Sequence, residues 1–470
     1  MKRRKIHTDD SEKNRKRHSK IIDIRPLSQK ICKDDESKNE SKEDNQIKKR
    51  YSKYKQTLKS NFVENGFSKL DSYKTEVLAL GEGDVGQLGL GEDVLSATYP
   101  KTIKDLIFKD DKIVKIFAGG MHSICLSNNK KLYSFGCNDD GALGRFCEND
   151  ELEKVPREIE FEYNIDIINI TTGDSHSSAL TNNGKVYTWG VFRDENGILG
   201  LISNKVERKP VLIDTEPVES IVEISSGNNH MLLLTNHGIV LSLGSSEQGQ
   251  LGRIPARSCT KEQRRGIELF LEALPVSFPL FKGKTPFIKK VFGTSYGSFA
   301  IENLTNKIYS WGLNNYKQIG YKSKRNDLIE YFPVVVNWDI AHEIKQITGG
   351  PHHTLILDFK GYVYSMGRKE YGRLGLGELN SDIDTPTPIL LFKDNPCREI
   401  SCGECVSYAI TESGESYSWG TFSTSQLGNG DTDEDSLIPK RMKGKQLENK
   451  NVISLSAGGQ HTLLLAYSTL

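Results

Sequence analysis

No run of about 18 apolar residues occurs in the 470-residue chain, so the sequence offers no transmembrane helix and no membrane partner is expected. Behind the basic start MKRRKIHTDD there is neither an apolar stretch nor a small-residue cleavage site, which excludes a secretory signal and predicts cytosol or nucleus. Proline is scarce at 15 residues beside 42 glycines, and hydrophobic residues make up 36%, as expected of a folded, turn-rich protein. The eight cysteines are scattered from Cys32 to Cys405, which argues for reduced thiols rather than a disulfide framework. Cys402 and Cys405 make one CxxC, but no second pair or histidine pair stands at zinc-ligand spacing. A nucleophile spaced with a base is also lacking. No metal, cofactor or bond-making chemistry is therefore expected.

Charge is what the sequence distributes unevenly. Residues 1–60 hold 20 Lys and Arg against 10 Asp and Glu, and the remainder holds 43 against 52. A basic arm of +10 thus precedes an acidic body of −9. The arm is poor in aromatics and rich in Lys, Ser, Asn and Asp, so residues 1–72 are predicted to be a disordered tail.

Past residue 75 the chain repeats itself. LALGEGDVGQLGLG returns as SFGCNDDGALG, TWGVFRDENGILG, SLGSSEQGQLG, SWGLNNYKQIG, SMGRKEYGRLGLG and SWGTFSTSQLG. The leading glycines, Gly81, Gly136, Gly190, Gly244, Gly312, Gly367 and Gly420, are 55, 54, 54, 68, 55 and 53 residues apart. A second series runs in phase with the first: AGGMHSICL, TGDSHSSAL, SGNNHMLLL, GTSYGSFAI, GGPHHTLIL, CGECVSYAI and AGGQHTLLL. Each unit reads as short alternating strands with glycine turns, such as IVKIFAGG, HSICLS and KLYSFG. Four such strands at this period make a propeller blade, and seven blades close into a ring without a free edge. The fold class is therefore all-β, a seven-bladed β-propeller over residues 76–468. The series opens on a lone third strand, EVLALG, and ends on NVISLSAGGQHTLLLA, which lacks one. The two ends should complete one shared blade.

Antiparallel neighbours place both the GGxH turns and the GxxxxG loops on one face of the ring, and the NNKK-type turns on the other. FRDEN, which breaks the second glycine loop, therefore projects from the face that carries Asp84, Asp174, Asn229 and His352. The 68-residue step holds an insertion, RIPARSCTKEQRRGIELFLEALP, which reads as a basic loop followed by a short helix.

Seven units with GxxxxGQLG and GGxHS, the lead GEGDVGQLGLG, the segments SFGCNDDGALGR, GDSHSSALT and GRKEYGRLGLGE, and the close KGKQLENKNVISLSAGGQHTLLL resemble the regulator of chromosome condensation family. The likeness is to its chromatin-bound branch, the guanine nucleotide exchange factors for the GTPase Ran. FRDENG sits in the blade where that branch carries its β-wedge.

The resemblance implies a function and a set of residues. The wedge, Phe192, Arg193, Asp194, Glu195, Asn196 and Gly197 through Leu199, would loosen the grip of Ran on GDP and Mg²⁺. Asp174 and His352 match exchange positions, and Asp84, His122, Asn229, Arg253 and His461 match Ran-binding positions. Other readings stand beside these. Asp after Gly also closes a turn. A histidine that recurs at 122, 176, 230, 353 and 461 is expected to be a structural hydrogen-bonding residue, whereas His352 breaks the repeat. Asn229 departs from the family, which has Asp in a GxDH turn, and Ser203 replaces an acidic residue nearby. Loss of a buried interfacial charge costs on the order of 2 kcal/mol.

In the insertion, Arg257, Lys261, Arg264 and Arg265 stand where the family's loop meets the histone acidic patch of the nucleosome. The tail has basic clusters at Lys2, Arg3, Arg4 and Lys5 and at Arg15, Lys16 and Arg17, which read as a bipartite nuclear localisation signal for an import receptor. The same arm suits the DNA backbone. The sequence is thus read as a monomeric, nuclear, chromatin-associated exchange factor for Ran. The rival reading is a propeller scaffold that binds chromatin or protein partners without exchange activity.

Overall fold

The computed structural model describes residues 74–468, apart from breaks at 105–110, 163–164, 216–219, 260–265, 324–326 and 431–432. Among these residues there are seven four-stranded antiparallel sheets and one two-stranded hairpin, the expected propeller. The first blade shows the common plan: Ile113–Ala118, His122–Ser127, Leu132–Gly136 and the short Arg157–Glu158, paired in chain order. Five further blades cover 167–212, 221–275, 288–336, 344–388 and 397–441. The seventh is composite: Ser96–Thr102, Thr75–Glu82, His461–Ser468 and Lys450–Ala457 lie side by side in that order. Thr75 pairs with Tyr467 and Gly81 with His461, so the first and last segments of the propeller join in one register.

Burial follows position in the blade. The second strands HSICLS, HSSALT, HMLLLT, HTLILD and VSYAIT are buried at every residue, because a neighbouring blade covers each face. These strands therefore do not alternate in polarity. The strands before them, such as IINITT and IVEISS, bury every third residue or so and leave the rest half-buried towards the centre of the ring.

The two sequence series meet in one interaction. His122 Nε2 lies 2.7 Å from Ser177 Oγ of the next blade, and that hydroxyl donates to the Ala142 carbonyl of the blade that supplied the histidine. His230, Ser298 and the Gln250 carbonyl repeat this arrangement, as do His353, Ser407 and the Arg373 carbonyl. His461, Ser123 and the Gln87 carbonyl carry it across the composite blade. His176 pairs with Ser226 at 3.0 Å. Where the serine proton is committed to a carbonyl, the histidine must donate through Nε2–H, which fixes the neutral tautomer. The ring folds back on the glycine three residues before it, and a Cβ added at Gly173 would overlap the His176 ring. Gly and His in G-x-x-H are thus one packing unit.

His122 and His461 were expected at a partner surface, and here the expectation is corrected: both rings are buried between blades. A group so enclosed bonds its neighbour blade and does not meet a partner.

Burial lowers His122 to about 4 and His176, His230 and His461 to about 3, and it holds His353 well below the ordinary value. Unfolding lets each of them titrate near 6.5, so between about pH 6.5 and 4 the unfolded chain binds more protons and stability falls as pH falls. Glu223, raised by burial to about 7, and Asp174, raised to about 6, act with the opposite sign, as do Glu153, Glu330, Glu399 and Glu404, which burial also raises, so these acids offset part of the histidine effect. Chemical denaturation at about pH 7.5 and about pH 5.0 is expected to show a loss of several kcal/mol at the lower pH, at about 1.4 kcal/mol per pH unit for each net proton. Imidazole NMR signals of the folded chain that titrate near pH 6.5 for these five residues would contradict a neutral histidine belt.

Candidate functional site

The hairpin is built from Phe192–Asp194 and Gly197–Gly200, with Asp194 paired to Gly197 and a bulge beside Phe192. Its tip is an Asx turn in which Asn196 N–H donates to Asp194 Oδ1 at 2.8 Å. Its base is apolar. Phe192 is buried, with its ring centre 4.5 Å from that of His176, and Leu199 and Leu201 pack with Phe270 and Leu271. Phe270 and Leu271 belong to the short helix Glu268–Leu271 of the insertion. The structure therefore divides the expected wedge. Phe192 anchors it, while Arg193, Glu195 and Asn196 are exposed.

Loops from the blades on either side hold the hairpin. Arg193 Nε and Nη2 grip Asp140 of the first blade at 2.6 and 2.8 Å. This fork keeps the Asp140 carboxyl below the usual range. From the third blade, Glu247 Oε2 accepts from Glu195 N–H at 2.9 Å and Asn229 Oδ1 accepts from Arg193 N–H at 2.8 Å. Asp140 and Glu247 had no signal in the sequence beyond their place in loops of adjacent units. Only the ring brings them to FRDEN.

Asn229 also faces inwards: its Nδ2 donates to Asp174 Oδ2 at 3.2 Å. One amide thus joins the hairpin backbone to the Asp174 carboxylate. An Asp at 229 would accept from the hairpin equally well, yet would set a second carboxylate against Asp174. The departure from the family pattern consequently has a structural use. Asp174 itself lines a recess of about 300 Å³ at the centre of this face, with Gly120, Asn228, Ser295, Glu404 and Gly459. Burial and then Glu404 raise Asp174 to about 6, offset by the amides of Asn229 and Asn228.

The other expected residues fall elsewhere. Asp84 is exposed in the loop of the composite blade. His352 is half-buried in the fifth blade, its ring 4.8 Å from that of Tyr316, and is lowered by burial and then by Arg373 and Arg368. It stands on the same face as Asp174 but three blades further round. Arg253, half-buried, bonds within its own blade: its Nε and Nη2 bond Ser242, and Nη2 also reaches the carbonyls of Leu269 and Glu272. Arg145 bonds Ser134 and the Leu152 carbonyl in the same way. The arginine of GxLGR is therefore a clasp within the blade. Arg257 is exposed in the insertion, whereas Lys261, Arg264 and Arg265, and the tail residues Lys2 to Lys5 and Arg15 to Arg17, lie outside the described residues.

The Asn229 geometry gives a test. In Asn229→Asp the lost donor and the added charge should push Asp174 further up. A raised carboxyl pKa in the fold means that stability is lost as pH rises through the window. The variant should therefore be less stable than the native chain by about 1–2 kcal/mol near pH 8, with a smaller difference near pH 5.5. Urea titrations at both pH values check this, and an equal deficit at both would sink the carboxylate-pair explanation.

The chain matches the model of the RCC1-like domain over residues 76–464. It is 39% identical over 404 residues to the human regulator of chromosome condensation, covering 84% of this chain and 92% of that one. It is 28% identical over 431 residues to the guanine nucleotide exchange factor SRM1 of Saccharomyces cerevisiae, covering 83% and 86%. Among solved structures, Prp20p of Saccharomyces cerevisiae, described with its binding to Gsp1p and histones, superposes with a TM-score of 0.75 at 27% identity over 87% of this chain and 96% of that one. Yeast RCC1 (Prp20) bound to Kap60 gives 0.76 at 28% identity, over 85% and 90%. With its seven closed blades and these relatives, the chain belongs to the regulator of chromosome condensation family.

Proposed function

We propose that this protein is a guanine nucleotide exchange factor for a Ran-type GTPase and acts at chromatin in the nucleus. The observation that carries the reading is the 192–200 hairpin, rooted by Phe192 and gripped by Asp140, Asn229 and Glu247 of the blades beside it. A rigid projection of this kind suits a wedge pressed into the phosphate-binding region of a GTPase. Binding the nucleotide-free form more tightly than the loaded form weakens nucleotide by the same factor, because linkage is reciprocal. No bond is made or broken, and the direction of exchange follows the excess of GTP over GDP. Asp174, Asp84 and His352 would meet the GTPase on the same face, the carboxylates speeding encounter with a basic surface.

Relatives supply the partners. Prp20p is described with binding to Gsp1p and histones and is solved with Kap60, so we assign to this chain a Ran-type GTPase, nucleosomes and an import receptor. The basic insertion would dock on the histone acidic patch, and the basic tail would bind DNA backbone and carry the nuclear localisation signal. A single propeller needs no second copy for any of these contacts, which suits a monomer.

The deciding experiment is release of a fluorescent GDP analogue from Ran with catalytic amounts of the full chain. Native protein should accelerate release over many turnovers. Arg193→Ala combined with Asp194→Ala should slow it by roughly tenfold or more, because the hairpin loses its fork to Asp140 and its Asx turn together with any contact to the GTPase, while the blades themselves stay folded. No acceleration by the native chain, from Ran that still exchanges when its Mg²⁺ is chelated, would leave a scaffold without exchange activity.

A further inference from the structure

Arg373 stands where four of the other six glycine loops carry glutamine and the remaining two carry Ala142 and Ile198. Gln87, Gln250, Gln318 and Gln426 occupy its place in their loops. In three of these the glutamine Oε1 accepts the backbone N–H two residues earlier, from Val85 at 3.1 Å, Gln248 at 2.8 Å and Tyr316 at 2.9 Å. A guanidinium has only donors and cannot do this. In the fifth blade Arg373 Nε instead donates to the Glu370 carbonyl at 2.9 Å. The 370–371 peptide thus presents its oxygen to the side chain where the glutamine loops present an N–H.

The backbone consequence is visible at Tyr371, which has φ 63° and ψ 16°. Left-handed backbone is uncommon for a bulky residue. The residue is 51% exposed, and its ring lies over the guanidinium with 5.3 Å from Arg373 Cζ to the ring centre. Beneath it Arg373 is 0% exposed, and neither Nη1 nor Nη2 has a hydrogen-bond partner among the described residues. A buried cation left half-satisfied is unfavourable unless something completes it. Burial also lowers its pKa. The surroundings are built too. Arg368 stacks on Tyr316 at 4.7 Å while holding Glu370 through Nε at 2.8 Å, and the His352 ring meets that of the same tyrosine edge-on.

We propose that Arg373, covered by Tyr371, is a latent oxyanion site that takes a carboxylate from an acidic side chain of the protein docking on this face. Two free Nη groups match the two oxygens of a carboxylate in a fork. A phosphate is a poorer fit, because its extra charge would face the Glu370 carboxylate. Tyr371 must swing its ring aside, by rotation about its side-chain bonds, for the carboxylate to enter. The identity of the docking protein as a Ran-type GTPase rests on the function proposed above, whereas the oxyanion site itself does not.

The test is Arg373→Gln, which installs the residue of the sister loops and leaves the Arg373 carbonyl, used by Ser407 and Trp419, in place. Full-length native and variant chains are melted in sodium chloride, sodium acetate and sodium phosphate at equal ionic strength and pH. In chloride the variant should melt at or above the native temperature. Acetate should raise the native melting temperature by about 2 °C more than that of the variant, as expected for a ligand bound only by the folded native chain. Binding to nucleotide-free Ran should weaken roughly tenfold in the variant. A variant that melts lower than native, with the same response to acetate, would show Arg373 to be a structural residue and overturn the proposal. A native-minus-variant gain that is larger in phosphate than in acetate would overturn the carboxylate assignment, the general stabilisation by phosphate cancelling in that difference. If native protein fails to bind Ran at all, the exchange reading falls while the acetate comparison still decides the site.

Discussion

Everything in this molecule depends on how one blade is tied to the next. At four of the seven junctions the tie is a three-part contact: a histidine from one blade donates to a serine of the following blade, and that serine donates back to a carbonyl in the glycine loop of the first. Tryptophans strengthen the same junctions, since Trp189, Trp311 and Trp419 donate their indole N–H to the carbonyls of Ala142, Gln250 and Arg373. Each carbonyl thus satisfies two buried donors from the neighbouring blade, where an unmet donor would be costly. The two repeating motifs stay in phase along the chain because each supplies half of one bond.

Ring closure gives this contact its reach. A blade buries both faces of its second strand only when blades stand on either side, so an open chain of blades would end on exposed apolar surface. The composite blade removes that end by pairing Val77 with Leu465 and Leu78 with Leu464. At this closure one apolar cluster joins residues of the sixth, composite and first blades, such as Tyr408, Leu464 and Ile116. That rigidity lets single loops act as fixed platforms, as where three adjacent blades supply the hairpin and its supports.

Against this regular background the exceptions have meaning. FRDEN replaces a glycine loop with a hairpin, Asn229 replaces an expected carboxylate with an amide that bonds in two directions, and Arg373 replaces an accepting glutamine with a donor. All three lie on one face. The other face, by the same strand directions, carries the short polar turns between second and third strands, such as Asn128 to Lys131.

The number of blades, their strands, the shared seventh blade and the face that bears the glycine loops were all legible from the sequence, because each follows from local spacing repeated seven times and from the antiparallel rule. The recurring histidines were legible as structural for the same reason, and FRDEN stood out as a break in the period. Side-chain partners were not legible. His122 and His461 matched a partner surface by motif yet lie between blades, and Arg253 matched a contact position yet clasps its own blade. Asp140 meets Arg193 across 53 residues of sequence, and Asn229 finds both Asp174 and the hairpin. Such pairings depend on the angle at which neighbouring blades pack, a property of the closed ring, whereas the sequence pattern records only what one blade repeats from the last.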